Sequence, residues 1–273
     1  MKMFNKQIQL REFSPPIIFR LLKKIRYGLM SSAAKKAIAE QIAKEEANRV
    51  RPYTSPVLKS YSQFNEDLLI DLLFLSKDNG FYVDVGANDP VFNSNTKRFY
   101  DKGWHGINIE PGVEQFEKFA SSRPRDINLN VGVGSVKGKV VFYKVVGDST
   151  LSSFNKNVAE KMATKFKLSV DETDVTVFRL EDIFDTYVKN RHVDFISIDA
   201  EGIDLEVLKS NDWDKFRPSL VMVEVDSQYS EIITYMSSHN YLHVFNNFHN
   251  AFFLDRKTSE ITLKTLVDDA CVQ

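Results

Sequence analysis

Two acids and one glycine stand where short apolar runs of the chain end. Asp84 interrupts the run Phe81–Val85, and a buried carboxyl without a partner is costly, so a cationic ligand group such as an ammonium would satisfy it. The run passes into Gly86-Ala87-Asn88, where a missing Cβ lets the backbone turn tightly and a ligand come close. Glu110-Pro111 closes the next run, 24 residues after Gly86. A carboxylate at the tip of a second strand can accept hydrogen bonds from both hydroxyls of a ribose. Dinucleotide sites use G-x-G-x-x-G, because a pyrophosphate needs close backbone approach and a helix N-terminus. Here the first loop holds Gly86 alone, and Asp84 repels phosphate, so the pair favours a nucleoside without phosphate. Each acid also has a plainer reading: Asp84 bonded within its own loop, and Glu110 capping the helix that follows.

Such residues need strands to carry them. Apolar runs at 81–85, 106–110, 127–133, 139–145, 175–180, 193–199, 220–225 and 241–245 read as strands. Segments 65–75, 114–120, 181–188, 203–209 and 230–238 read as helices, the first with acids near its start that suit the helix dipole. Strands buried on both faces and separated by helices predict a mostly parallel α/β sheet. In such sheets ligands bind beyond the carboxyl ends of the strands, where the acids lie.

The stretch from Ser62 to Val225 resembles the FkbM family of S-adenosylmethionine-dependent methyltransferases. The resemblance is carried by SQFNEDLLI, FYVDVGANDPVFNSNTKRFYDKGWHGINIEP, VDFISIDAEGIDLEVLKS and RPSLVMVEV. It implies the class I, Rossmann-like methyltransferase fold, with a seven-stranded sheet and helices on both faces. It also implies methyl transfer to oxygen, often on a sugar, a surface glycan or a glycosylated metabolite. By the same resemblance Asp84, Gly86, Ala87 and Asn88 would line the methionine part of the cofactor. Glu110 and Pro111 would hold the ribose, and Asn130, Val131 and Gly132 would lie along the adenine. Pro90 stands where many methyltransferases have another glycine.

The run 193–199 ends in Asp199-Ala200-Glu201-Gly202, with Asp204 close behind. Methyl transfer aligns an acceptor oxygen with an electrophilic carbon and removes the acceptor's proton, so Asp199 or Glu201 is the expected base. Alternatively one of them caps the next helix and the other binds the cofactor's amino group. With Glu224 and Asp226 they could also supply oxygen ligands to Mg²⁺. Ser94, Asn95 and Thr96 could bind a hydroxylated substrate or cap a helix. Ser149 and Thr150 lie in a long insertion, 147–174, read as a lid or substrate contact. His249 is a further base candidate, with a structural role as its alternative.

The 273 residues fit one catalytic domain with an appendage, divided here into 1–60 and 61–273. Residues 1–50 carry a net +7 and the remainder −8. The basic arm reads as helical, followed by the prolines Pro52 and Pro56 as a linker. It could contact an anionic membrane surface, pack on the catalytic domain, form a homodimer or stand as a solvated helix. A net charge of −1 gives no support for nucleic-acid binding. One cysteine, Cys271, and no apolar leader suggest the cytoplasm. A dinucleotide-dependent oxidoreductase or epimerase is the rival enzyme, and a binding protein that keeps the fold without catalysis is the rival from another class.

Overall fold

The computed structural model describes residues 59–74, 77–225, 228–247 and 249–257. The basic arm with its prolines, Asp226 and Cys271 lie outside them. From Ser60 on, the described residues belong to one compact unit.

In chain order the elements are α1 (Glu66–Leu73), β1 (Phe81–Val85), α2 (Lys97–Asp101), β2 (His105–Ile109), α3 (Val113–Ser122), β3 (Ile127–Leu129), β4 (Gly132–Val133) and β5 (Gly138–Val146). There follow a 3₁₀ turn (Ser149–Leu151), α4 (Lys156–Phe166), β6 (Ser169–Phe178), α5 (Leu180–Ile183) running into a π-helical turn (Phe184–Val188), and β7 (Phe195–Ile198). The chain then forms α6 (Asp204–Lys209), β8 (Leu220–Glu224), α7 (Tyr229–Ser238), β9 (Tyr241–Asn246) and β10 (Asn250–Asp255).

Seven strands form the main sheet in the order β3-β2-β1-β7-β8-β10-β9. All run parallel except β10, which is antiparallel to both neighbours. This mostly parallel, seven-stranded α/β sheet is the architecture that the resemblance implied. β1 is central and every one of its residues is buried. Its alternate side chains serve two layers, because successive residues of a strand point to opposite faces. Phe81, Val83 and Val85 join Ile107, Ile109, Ile196, Ile198, Val221 and Val223 in the larger core. On the other face Tyr82 lies among Phe99, Trp104 and Phe195, whose rings contact one another at 4.7–6.2 Å. Asp84 shares that second face and pairs in register with Asn108 of β2 and Ser197 of β7. A row of polar side chains therefore crosses the middle of the sheet, each needing a partner in the layer above it.

The structure changes several expected elements. The single strand 127–133 is two, because Asn130 turns the chain: its Nδ2 donates to the carbonyls of Glu110 and Pro111, both at 2.9 Å. β3 stays in the main sheet, whereas β4 joins β6 and β5 in a separate three-stranded sheet. The strands expected at 139–145 and 175–180 belong to that small sheet. The insertion 147–174 is no long loop, since it holds α4 and the first half of β6. α4 packs only two alanines, Ala159 and Ala163, against Val145, too faint an apolar stripe to read as a helix. β10 was also missed, although Ala251, Phe252, Phe253 and Leu254 are all buried. The acids at the start of α1 are buried too. Asp67 accepts from Ser60 Oγ, Ser62 Oγ and the Tyr61 amide, so it ties down the preceding segment. Among the described residues no helix is long and apolar enough to cross a membrane.

Candidate active site

β2 and β3 lie on one side of β1, and β7 and β8 on the other. The strand order thus reverses between β1 and β7, which opens a crevice beyond their carboxyl ends. A cleft of about 280 Å³ lies there. The two loops that leave β1 and β7 touch closely. A Cβ at Gly86, whose φ is +77°, would sit 1.8 Å from the carbonyl oxygen of Asp199. Only glycine fits that position.

The loop from β1 is fastened to the tip of β2. The amides of Gly86 and Ala87 donate to the Ile109 carbonyl at 3.0 and 3.2 Å. The Asn88 amide donates to Glu110 Oε2 at 2.8 Å, and the Gly112 amide to Oε1 at 2.7 Å. Glu110 therefore does hold the start of α3, as the plainer reading had it, and faces the cleft as well. Burial pushes its carboxyl up to about 7, against the two amide hydrogen bonds that favour the charged form. Ser149 Oγ reaches across to Asn88 Oδ1 at 2.8 Å, bringing the 3₁₀ turn to the same loop.

Asp84 has protein partners. Thr96 Oγ1 donates to its Oδ2 at 2.7 Å, and burial raises its pKa while the Thr96 and Ser197 hydroxyls and the Arg123 charge pull the other way. Arg123 is 1% exposed and escaped the sequence reading. Its guanidinium donates to Thr96 Oγ1 at 2.7 Å, to Ser94 Oγ at 2.8 Å and to the Pro90 carbonyl. Pro90 is thus the point at which the guanidinium grips the loop. Ser94 and Thr96, expected to meet substrate, are buried in this network instead of lining the cleft. Asn95 does line it, and donates to Ser197 Oγ at 3.1 Å.

At the end of β7, Asp199 and Glu201 both line the cleft. Asp199 lies beside the Glu224 carboxyl group at the end of β8, which helps to raise it. Burial first, then the charges of Glu224 and Asp204, hold Asp199 well above the usual carboxylate range. Its Oδ1 is buried without a hydrogen-bond partner. Asp204 shapes the turn, accepting from the amides of Ala200 at 2.8 Å and Gly202 at 3.2 Å. Glu201 sits at φ +49°, a left-handed conformation uncommon for this residue type. Its carbonyl accepts from Ser153 Oγ at 2.7 Å.

Of the remaining expected residues, Ala87, Pro111, Val131, Gly132, Ser149, Thr150 and His249 line the cleft. The Asn130 side chain turns to the main chain, as described above. His249 stacks on Phe64, with ring centroids 4.7 Å apart and planes 16° from parallel. Glu66 was missed: it is 1% exposed, lines the cleft, and accepts from Asn247 and Asn250 Nδ2 and from the Phe64 amide. Of the four acids offered as Mg²⁺ ligands, Asp226 lies outside the described residues. Among the described residues no group of three or more His, Cys, Asp and Glu could hold a metal ion.

A seven-stranded sheet with one antiparallel strand, and an acid-lined cleft at its switch point, define a class I methyltransferase. The chain belongs to the FkbM methyltransferase family, whose profile, described as "Methyltransferase FkbM domain", matches residues 84–242. It is 26% identical over 211 residues to Methyltransferase sdnD of Sordaria araneosa, a match covering 64% of this chain and 79% of that one. Among solved structures it is similar to M. capricolum TrmK in complex with S-adenosyl-homocysteine, at 13% identity and a TM-score of 0.36, over 72% of this chain and 70% of that one. A methyltransferase from Geobacter sulfurreducens is similar at 14% identity and a TM-score of 0.34, over 88% of this chain and 98% of the other. The fold assignment rests on the strand order and the family match.

Proposed function

We propose that this methyltransferase takes its methyl group from S-adenosylmethionine and transfers it to a hydroxyl oxygen of a sugar, surface glycan or glycosylated metabolite. The observation that carries the cofactor reading is the carboxylate of Glu110. Each of its oxygens is fixed by one main-chain amide, and each keeps acceptor capacity for a ribose hydroxyl. Gly86, Ala87 and Asn88 would hold the methionine end, and Val131 and Gly132 the adenine. A cleft rich in carboxyl groups suits a cationic cofactor and opposes the pyrophosphate of a dinucleotide.

The cofactor supplies an electrophilic methyl carbon on a sulfonium. The protein has to align the acceptor and take its proton. Asp199 Oδ1 lacks a donor, and an acceptor hydroxyl is a group that would supply one. Beside Glu224, a proton taken up by Asp199 removes a buried negative charge, which a buried setting favours. Glu201 is the other candidate base at the same turn. The test is methyl transfer from isotopically labelled S-adenosylmethionine to a panel of neutral and charged sugars and glycan precursors, with products read by mass spectrometry. Labelled methyl on a hydroxyl oxygen supports the proposal. Label on nitrogen or carbon alone would contradict it.

A further inference from the structure

The described lining of the cleft holds six carboxyl side chains, those of Glu66, Asp84, Glu110, Asp199, Glu201 and Glu224, and among those described residues no Lys or Arg. Three of the six stand at the tips of β1, β2 and β8 or just inside them. Glu66 stands apart, beside β10. In register Asn250 pairs with Glu224, and four strand spacings separate β10 from β2, on the order of 19 Å at ~4.8 Å each. That distance puts the β10 side of the cleft beyond the seat assigned to the ribose. Its wall is built from Gln63, Asn95, His249 and Asn250, with the Phe64 ring behind the imidazole.

The wall has a distinct chemistry. Amides both donate and accept, which matches hydroxyl groups in either role. The Glu66 carboxylate orients the Asn250 amide at 3.1 Å and the neighbouring Asn247 amide at 2.6 Å. Behind the amides there is thus a buried carboxyl group, and beside them lie those of Asp199, Glu201 and Glu224. An anionic group placed here would give up its water among carboxyl groups, with no Lys or Arg in the described lining to pair with it, and such a setting costs affinity.

We infer that this wall is the acceptor subsite and that it admits an acceptor bearing hydroxyls but no phosphate or carboxylate. This rests on the proposed function and narrows its substrate class. It also orders the chemistry around the enzyme. A phosphorylation or nucleotidyl transfer to the same acceptor must come after methylation, or the phosphate must already have been removed by hydrolysis or glycosyl transfer.

Saturation-transfer NMR tests this with glucose, glucose 6-phosphate and glucuronate as matched probes, with and without S-adenosyl-homocysteine. The expected result is transfer to glucose and a signal about tenfold weaker for both anions. Gln63→Lys, which adds a cation to the wall, should narrow or invert that difference. Equal or stronger binding of an anionic member to the unaltered protein, or no transfer to glucose, would overturn the inference. Calorimetry with S-adenosyl-homocysteine on the same samples reports on the cofactor reading separately, since the sugar preference is measured in its absence too.

Discussion

Glu110 Oε2 accepts the Asn88 amide at 2.8 Å, while its Oε1 accepts the Gly112 amide at 2.7 Å. One buried carboxylate therefore joins the loop after β1 to the start of α3. Because burial raises it to about 7, its charge changes near neutrality. In the proposed role ribose hydroxyls would donate to the ionised form, so binding of S-adenosyl-homocysteine should release a proton. Affinity should rise with pH, by up to about tenfold per unit as one proton is released, and level off above about 7. Calorimetry across that range checks it, and a flat profile counts against the assignment. In the ligand-free protein the sign is opposite. Stability from protonated Glu110 is complete below about 4.5 and is lost as pH rises through about 7.

Gly86→Ala should remove cofactor binding. The new methyl would lie 1.8 Å from the Asp199 carbonyl oxygen, at a φ of +77° that alanine rarely adopts. The β1 and β7 loops must then separate. A loss of at least about 2 kcal/mol in urea unfolding is expected from strain and displaced packing together. An alanine variant with unaltered stability and affinity would show that the loops do not pack as described.

Arg123→Met should destabilise the protein by about 3 kcal/mol, since it leaves Asp84 and the Pro90 carbonyl without their buried cation. Chemical denaturation measures it. Methyl transfer should fall as well, because Asn95 depends on the same loop. A neutral result would mean that the loop is held by its other contacts alone.

The Asp199–Glu224 pair predicts a displaced pH profile. Glu224→Gln removes a negative charge that helps to raise Asp199. Asp199 then ionises at lower pH, and the acid limb of kcat/KM should move to lower pH. Asp199→Asn should lower kcat at least about 100-fold, in the range of a lost general base. If Glu201→Gln produces that loss and Asp199→Asn does not, the base is Glu201.

The parts of this site that could be read from the sequence are those whose meaning is local. β1, β2, β7 and β8 are short, mostly apolar runs, and Gly86, Glu110 and Asp199 follow the first three of them, so the strand tips could be read for both fold and candidate chemistry. What stayed hidden depends on distant partners. Arg123 reads as one more surface charge until the fold brings it to Pro90, 33 residues away, and Glu66 meets Asn250 across 184 residues. Ser94 and Thr96 look like substrate contacts because small polar residues after a strand often are, and only the packing of Arg123 turns them inward. α4 hid behind its two alanines. Asn130 lies where the chain passes from β3 to the second sheet, held by two side-chain bonds that no periodicity reveals.

If Glu110 holds a nucleoside cofactor, calorimetric titration with S-adenosyl-homocysteine at about pH 8 must detect it. One site is expected in the unaltered protein, with affinity lowered at least about tenfold in Glu110→Ala, the order expected when a charged hydrogen-bond partner is removed. No binding to the unaltered protein, or equal affinity in a folded Glu110→Ala variant, would contradict it.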